Sequence, residues 1–255
     1  MGEEFPWYDS WWLTRYARAK AFIAQREPRR LAEFTAAFDP LRTRPDFDLI
    51  VLNEFFTDAE ADLIRQASYA IKRNQLEMHE VGTHGRFVVH NHAMLQELHA
   101  AVAPLVSRLV GEAVEPAYSF LALYTRTGKC EMHLDAPVSK WTLDYCIDQT
   151  EPWPISFSEV IPWPERFIAQ DQDWETRIRT SSDHHFTTHT LRPGQAVIFS
   201  GSSQWHYRDP MSHPGVNSQS RLLFLHFIPI GTKEIAEWKN WEAHFDIPGL
   251  TAAIQ

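Results

Sequence analysis

The sequence predicts an α+β protein in which helices come first and a β-sandwich or β-barrel follows. Apolar residues recur at helical spacing between about Ser10 and Phe38, whereas after Glu115 the chain divides into about seven short β-rich runs separated by turn residues. Neither an internal repeat nor a low-complexity linker interrupts the 255 residues, so we expect one domain over 1–255. Within it we expect a helical extension over 1–45, a β core with supporting helices over 46–230, and a C-terminal tail over 231–255.

Four helical segments are expected before the main series of strands begins at about 118. The first pattern breaks at Glu27-Pro28, which predicts two helices there, because proline lacks the amide that a helix interior needs. Thr57 and Glu60 have the spacing of a capping box, which predicts a helix from this point to about Lys72. A further helical period covers 95–110.

The β-rich runs are bounded by turn sequences such as Thr127-Gly128 and Arg192-Pro193-Gly194. The polar segment 162–183 has no period and is expected to be an irregular excursion from the β core. The predicted strands are a short run at 48–52 and then 118–126, 131–135, 141–147, 155–160, 185–191, 196–200 and 221–230.

Composition narrows the classes of partner. The 24 Lys and Arg against 33 Asp and Glu give a formal net charge of -9, which repels phosphate backbones and anionic lipid. We therefore expect neither nucleic acid nor a membrane as partner. The cysteines Cys130 and Cys146 are expected to be free thiols in a reducing compartment, and with no signal-peptide pattern we expect a cytoplasmic protein.

His133-Leu134-Asp135 lies on a predicted strand, where residues two apart point to the same side. A second His-x-Asp, His244-Phe245-Asp246, lies near the C-terminus and no His, Cys or Glu follows it. His133 and Asp135 are instead followed by His206, which comes soon after a predicted strand. Two histidines and one carboxylate form the facial triad that leaves coordination positions open on non-haem Fe(II), although Zn accepts the same ligands.

Arg221 begins a strongly apolar predicted strand, where a charge is costly unless it meets an anion. Pointing inward, it would suit a bidentate clamp on a carboxylate. Arg208 is the competing candidate, but it follows His206 in a segment without a strand pattern, and the choice between them stays open.

The ordered motifs resemble those of the iron(II)/2-oxoglutarate-dependent dioxygenases, and most closely the prolyl 4-hydroxylase-like branch of that superfamily. The resemblance covers roughly 49–229. The motifs are Tyr124-x-x-x-Gly128-x-x-x-x-His133-x-Asp135, then Pro193-Gly194-x-Ala196-x-x-Phe199, then Trp205-His206, and then Arg221.

This resemblance implies a double-stranded β-helix (a jelly-roll, cupin-like core) flanked by N-terminal helices. It also implies Fe(II) held by His133, Asp135 and His206, with 2-oxoglutarate bound by Arg221 and Tyr124. O2 would be the oxidant, and the reaction would oxidise a C–H bond of a substrate, usually by hydroxylation, and release succinate and CO2.

The expected substrate is a small molecule, such as a polar natural product, and the oligomeric state is left open. Arg126, Arg86 and Trp205 are candidate substrate contacts. Two other functions remain as alternatives: a cupin-like metal enzyme that does not use 2-oxoglutarate, and a jelly-roll binding module without catalysis.

Overall fold

Two antiparallel β-sheets form the centre of the molecule, as the expected double-stranded β-helix requires. The computed structural model describes residues 4–165, 167, 173–211, 215 and 217–255. The larger sheet has six strands in the order β1-β8-β5-β10-β3-β2, and the smaller has four in the order β4-β9-β6-β7. The strands are β1 (Ile50–Leu52), β2 (Arg86–His90), β3 (Val114–Tyr124), β4 (Cys130–His133), β5 (Trp141–Gln149), β6 (Ile155–Ser158), β7 (Phe186–His189), β8 (Ala196–Phe199), β9 (His206–Arg208) and β10 (Ser220–Pro229).

Helices lie at both ends of the chain and beside the larger sheet. The long helix α5 packs its apolar face on the outer side of that sheet, where its Val106 meets Leu225 of β10 in one hydrophobic core. The helices are α1 (Trp11–Arg26), α2 (Leu31–Ala37), α3 (Asp58–Ala70), α4 (Val81–His84), α5 (Ala93–Val110), α6 (Trp174–Thr180), α7 (Lys233–Ala236), α8 (Trp241–His244) and α9 (Leu250–Ile254).

The predicted C-terminal tail folds against the N-terminal helices. Trp241 and Phe245 pack edge-to-face on Phe34 of α2, with ring centroids 5.7 and 4.8 Å away. The buried Nε1 of Trp12 in α1 donates to the Ala236 carbonyl at 2.7 Å. Indole rings of this size bury much apolar surface, and their N–H needs a partner once buried, so the two chain ends stabilise one another.

The capping box at Thr57 is confirmed: the Thr57 amide donates to Glu60 Oε2 at 2.8 Å, and Thr57 Oγ1 accepts from the Glu60 amide at 3.4 Å. The helix break near Glu27-Pro28 is confirmed as well. None of the described helices has the length and apolar character that a bilayer crossing requires.

Three expectations about local structure were wrong. Strand β4 ends at His133, so Asp135 lies just beyond it. The segment 162–183 contains helix α6, although 166 and 168–172 lie outside the described residues. The segment 206–208, which has no strand pattern of its own, pairs between β4 and β6 as β9, because the register of its neighbours decides its conformation.

Candidate metal centre

A cavity of about 210 Å³, which we call the metal cavity after its candidate ligands, lies between the two sheets. Its walls come from the inner faces of β2, β3, β5 and β10, from β4 and β9 of the smaller sheet, and from Tyr8 and Asp9 ahead of α1. The candidate metal ligands lie on the side of the smaller sheet.

His133, Asp135 and His206 converge at this wall. Strands β4 and β9 pair with His133 directly opposite His206, and the Asp135 amide donates to the Gly201 carbonyl at 2.9 Å. Asp135 Oδ1 lies 3.3 Å from His133 Nε2 and 3.7 Å from His206 Nε2. One ligand atom from each residue lies within 4.8 Å of the others, and all three side chains are buried. The predicted triad is therefore brought together.

Backbone carbonyls orient both imidazoles. His133 Nδ1 donates to the Glu131 carbonyl at 2.7 Å, and His206 Nδ1 donates to the Gln204 carbonyl at 3.0 Å. Because a carbonyl only accepts, each Nδ1 carries a proton, which leaves Nε2, the atom next to Asp135, as the one that each ring can offer to a metal. Hydrogen bonds of this kind hold metal-binding histidines in the required tautomer.

Asp135 is held by its other oxygen. Thr142 Oγ1 donates to Asp135 Oδ2 at 3.2 Å, and it lies 3.1 Å from His226 Nδ1. A Cβ on Gly201 would come within 2.2 Å of Asp135 Oδ2, so glycine is required where the two chain segments meet. Thr142, His226 and Gly201 are thus positioning residues for the carboxylate.

The electrostatics of the triad favour a cation. Burial raises the pKa of Asp135, but His206 and His133 outweigh this and hold that pKa well below its usual range. Burial lowers the pKa of His133, but Cys130 and Asp135 raise it well above its usual value. Burial and His133 lower the pKa of His206 to about 4, so this imidazole is neutral and able to act as a ligand.

The residues fit a divalent metal. Two imidazoles and one ionised carboxylate lie on one side of the cavity. The other coordination positions of a metal bound to them would face the open space. This donor set is that of non-haem Fe(II) sites with exchangeable positions, and Zn sites also use it.

Two buried arginines line the same cavity. Arg208 donates to Asp144 Oδ2 and to the Trp153 carbonyl, both at 2.6 Å. Arg86 pairs with Glu80 and donates to Tyr124 Oη at 2.6 Å. The cavity therefore holds guanidinium groups from both sheets, and Tyr124, predicted to bind a cofactor, lies among them.

The prediction that Arg221 faces the metal site was wrong. On β10 the side chains alternate, and Phe224 and His226 line the cavity, so Arg221 points to the outer face of the sheet. There it donates to the Ser68 carbonyl at 2.8 Å and lies 4.0 Å above the Tyr69 ring. Arg208 reaches the cavity because it lies two residues from His206 on β9, on the same face.

Of the three candidate substrate contacts, the structure places Arg86 in the metal cavity and Arg126 and Trp205 elsewhere. Arg86 lines the metal cavity, whereas Arg126 is exposed and lines a different cavity on the outer face. Trp205 is buried away from the metal cavity, in the hydrophobic core around α1, edge-to-face with Trp7 at 4.9 Å. The prediction that Trp205 contacts a substrate in the metal cavity was therefore wrong.

Several residues of the site were missed from the sequence. The alternation of side chains on β10 that directs Arg221 away from the metal cavity directs His226 into it, so the sequence could have predicted His226 as a residue of the site. Tyr8, Asp9 and Glu80 had none, because only the tertiary fold brings them to the cavity. Tyr8 Oη donates to Glu80 Oε1 at 2.5 Å, and Asp9 Oδ2 accepts from the Ala136 amide at 3.0 Å.

Comparisons with known proteins identify the fold. No family model and no curated protein sequence matches this chain. Among solved structures, it is similar to EctD from S. alaskensis with 2-oxoglutarate and 5-hydroxyectoine, at 19% identity over 78% of this chain and 76% of that one, with a TM-score of 0.53.

Two proteins of nogalamycin biosynthesis are similar as well. The non-heme alpha ketoglutarate dependent carbocyclase SnoK matches at 10% identity over 74% of this chain and 85% of its own, with a TM-score of 0.54. The epimerase SnoN, in complex with Fe3+, alpha ketoglutarate and nogalamycin RO, matches at 12% identity, covering 80% and 85%, with a TM-score of 0.56. The fold of this chain is therefore the double-stranded β-helix that these non-haem iron proteins share.

Proposed function

We propose that this protein is an Fe(II)- and 2-oxoglutarate-dependent oxygenase that oxidises a C–H bond of a small molecule, with release of succinate and CO2. The observation that carries the proposal is the triad of His133, Asp135 and His206, oriented by carbonyl and hydroxyl groups toward a cavity that also holds arginines. Hydroxylation is the usual outcome of this chemistry.

His133, Asp135 and His206 would hold the iron. Fe(II) bound there would supply the site at which O2 is activated. The chain keeps both Nε2 atoms directed at one point through the Glu131 and Gln204 carbonyls, and Thr142 keeps Asp135 in register with them. These contacts fix the ligands before the metal arrives, which raises metal affinity.

Arg208 and Tyr124 are proposed to bind the distal carboxylate of 2-oxoglutarate. Arg208 lies two residues along β9 from His206, about 7 Å at the usual rise of a strand, so one five-carbon diacid would reach both the metal and the guanidinium. Tyr124 Oη accepts from Arg86, so its own proton is available to a carboxylate oxygen. Similar proteins bind this co-substrate, since EctD was solved with 2-oxoglutarate and SnoN with alpha ketoglutarate.

The substrate is proposed to be small because the cavity is only about 210 Å³. Tyr118, Phe120 and Phe224 line it opposite the triad, so an apolar or ring-containing part of the substrate would lie against them. The similar structures contain 5-hydroxyectoine and nogalamycin RO, and SnoK and SnoN come from nogalamycin biosynthesis. A role in natural-product biosynthesis follows as part of the proposal.

One observation favours the second candidate, a cupin-like metal enzyme that does not use 2-oxoglutarate. Each arginine in the cavity is already paired with a carboxylate: Arg86 with Glu80, and Arg208 with Asp144. If those pairs persist in solution with iron bound, no guanidinium is left for a co-substrate, and the arginines serve only to support the cavity walls.

An anaerobic titration separates the two candidates. Fe(II) and then 2-oxoglutarate are added to metal-free protein, and the visible charge-transfer band of the chelate is recorded. We expect a band in the wild type, none in His206→Ala, and at least a tenfold higher 2-oxoglutarate requirement in Arg208→Gln, since a charge-assisted pair is lost.

Arg221→Gln is the matched control, because it removes the same charge from the outer face of the sheet. It should shift the 2-oxoglutarate titration by less than about twofold. Iron binding without a band in the wild type would reject the use of 2-oxoglutarate and favour the cupin-like enzyme.

A further inference from the structure

A second and larger cavity, of about 690 Å³, lies on the outer face of the six-stranded sheet. Its walls are the end of α3 and the segment after it, the outer side chains of β2 and β3, and the beginning of β10. It is open to solvent and lies on the other face of this sheet from the triad, and Tyr124 borders both cavities.

The charge of this cavity is opposite to that of the whole chain. Arg126 and Arg221 are the charged side chains among its described lining residues, and no carboxylate is present there. Neither arginine has a carboxylate within 4.0 Å in the part of the chain that the structure describes. In a protein with a formal net charge of -9, two unpaired guanidinium groups on one cavity are a specific feature.

Arg221 is held in place without its charge being matched. Its Nη1 donates to the Ser68 carbonyl, its guanidinium lies on the Tyr69 ring, and its Nε is buried without a hydrogen-bond partner. Asp148 pairs opposite it in the sheet, but that carboxylate accepts from Tyr69 Oη at 2.6 Å and forms no ion pair with Arg221. A guanidinium that neutral partners hold in position, and whose charge no carboxylate matches, is suited to an anionic ligand.

The rest of the cavity lining combines apolar and polar side chains. Leu76, Phe87 and Leu123 contribute apolar surface, and Asn217 and Gln219 contribute amide groups. A bare inorganic anion would leave the apolar wall in contact with water. A ligand with a carboxylate at one end and a short hydrocarbon body would cover that wall and meet the guanidinium groups at once.

We propose that this outer cavity is a binding site for a small organic carboxylate, whose head group pairs with Arg221 and Arg126 and whose apolar body lies on Leu76, Phe87 and Leu123. Arg221 supplies the oriented contact, and the exposed Arg126 strengthens attraction at the rim. The site does not depend on iron or on 2-oxoglutarate, and it stands whether or not the proposed oxygenase activity does.

The test is calorimetric titration of metal-free, full-length protein with hexanoate, beside hexanamide as an uncharged probe of the same shape and inorganic phosphate as a bare anion. We expect saturable hexanoate binding that is at least tenfold tighter than that of either other probe. Arg221→Gln should weaken hexanoate at least tenfold, and Arg126→Gln about threefold, because its contact is solvent-exposed.

Two further variants locate the binding. Arg29→Gln removes an exposed charge from the N-terminal helices and should leave hexanoate affinity unchanged, as should Arg208→Gln in the metal cavity. Because Arg126 is exposed and forms no ion pair with any residue that the structure describes, Arg126→Gln still tests the site if Arg221→Gln does not fold.

Three results would overturn the proposal. One is the absence of saturable hexanoate binding at millimolar concentration. Another is equal affinity for hexanoate and hexanamide. The third is hexanoate binding that Arg221→Gln and Arg126→Gln leave unchanged and Arg208→Gln abolishes, because the carboxylate would then occupy the metal cavity.

Discussion

The two faces of the six-stranded sheet have different chemistry, although the same strands build them. On β10, Leu223, Leu225 and Phe227 face outward, are fully buried and pack in the core that contains α5. Phe224 and His226, which alternate with them, face the metal cavity. Between 223 and 227 the outer face thus contributes apolar burial, which stabilises the fold, whereas the inner face carries groups that line the cavity of the triad.

The inner face also carries polar atoms that the fold leaves unsatisfied. Among the described residues, Asp144 Oδ1 and His226 Nε2 are buried there without a hydrogen-bond partner. Each such atom costs about 1–3 kcal/mol. On the inner face these atoms lie around the triad, so substitutions there should affect metal binding, whereas substitutions of the apolar residues on the outer face should affect stability.

The largest effect is expected on the outer face. Leu225→Ala should lower the free energy of unfolding by about 2–5 kcal/mol, because it removes a fully buried side chain and leaves a cavity in the core. Urea denaturation measures this. Phe224→Leu, one residue away on the inner face, should cost less than about 1.5 kcal/mol, and an equal loss in both variants would remove the distinction between the faces.

The next effect is on the inner side, at the contact between Gly201 and Asp135. Gly201→Ala should weaken Fe(II) binding by at least about 100-fold, since its Cβ would overlap Asp135 Oδ2 and displace the ligand. Gly82→Ala is the matched control, because nothing lies within 4 Å of a Cβ at that position. Unchanged iron affinity in Gly201→Ala, measured by competition with a chelator, would contradict the triad geometry.

A smaller effect on the same face is expected for the hydroxyl that holds Asp135. Thr142→Val keeps the shape of the side chain and removes the hydrogen bonds to Asp135 Oδ2 and His226 Nδ1. Outer partners of metal ligands typically contribute about 10–100-fold in affinity, and we expect a loss in that range. Thr142→Ser keeps the hydroxyl and should retain most of the Fe(II) affinity. If the loss in Thr142→Val came from packing alone, Thr142→Ser would not retain that affinity.

The smallest effect is a pH dependence on the outer face. Burial lowers the pKa of His99 to about 4, and its Nε2 lies 3.0 Å from the His226 carbonyl. In the unfolded chain His99 has an ordinary histidine pKa of about 6.5, so it binds a proton more readily there than in the fold. The stability that the neutral, buried His99 contributes is therefore complete above pH 6.5 and is lost as pH falls toward 4.

Between pH 7 and pH 5 the free energy of unfolding should therefore fall by about 1–2 kcal/mol less in His99→Gln than in the wild type. Unfolding free energies at the two pH values give the comparison. Parallel losses in both proteins would show that His99 titrates normally in the fold.

Much of this architecture was predictable because it depends on local patterns. The capping box at Thr57, the break at Pro28 and the alternating strands carry their signals within a few residues. The His-x-Asp pair and the later histidine predicted a triad that the fold does assemble. These features follow from spacing, which the sequence shows directly.

The rest depends on register and on contacts distant in sequence. Whether Arg221 or Arg208 reaches the metal cavity depends on which face of a strand each occupies, and a one-residue difference reverses that. Residues 206–208 become a strand only because β4 and β6 flank them. Tyr8 and Glu80 meet through a hydrogen bond between positions 72 residues apart, which no local pattern encodes.

The wall that Tyr8 and Asp9 contribute has a consequence for how the protein is made. Helix α1, which follows them directly, is tied to Ala236 by a hydrogen bond that spans 224 residues. During translation Glu80 and Ala136, which hold Tyr8 and Asp9, leave the ribosome well before Ala236 does, so this wall can form while helix α1 still lacks its C-terminal anchor. Contacts of such long range form slowly, so the packing of α1 on Ala236 is expected to be a late step of folding.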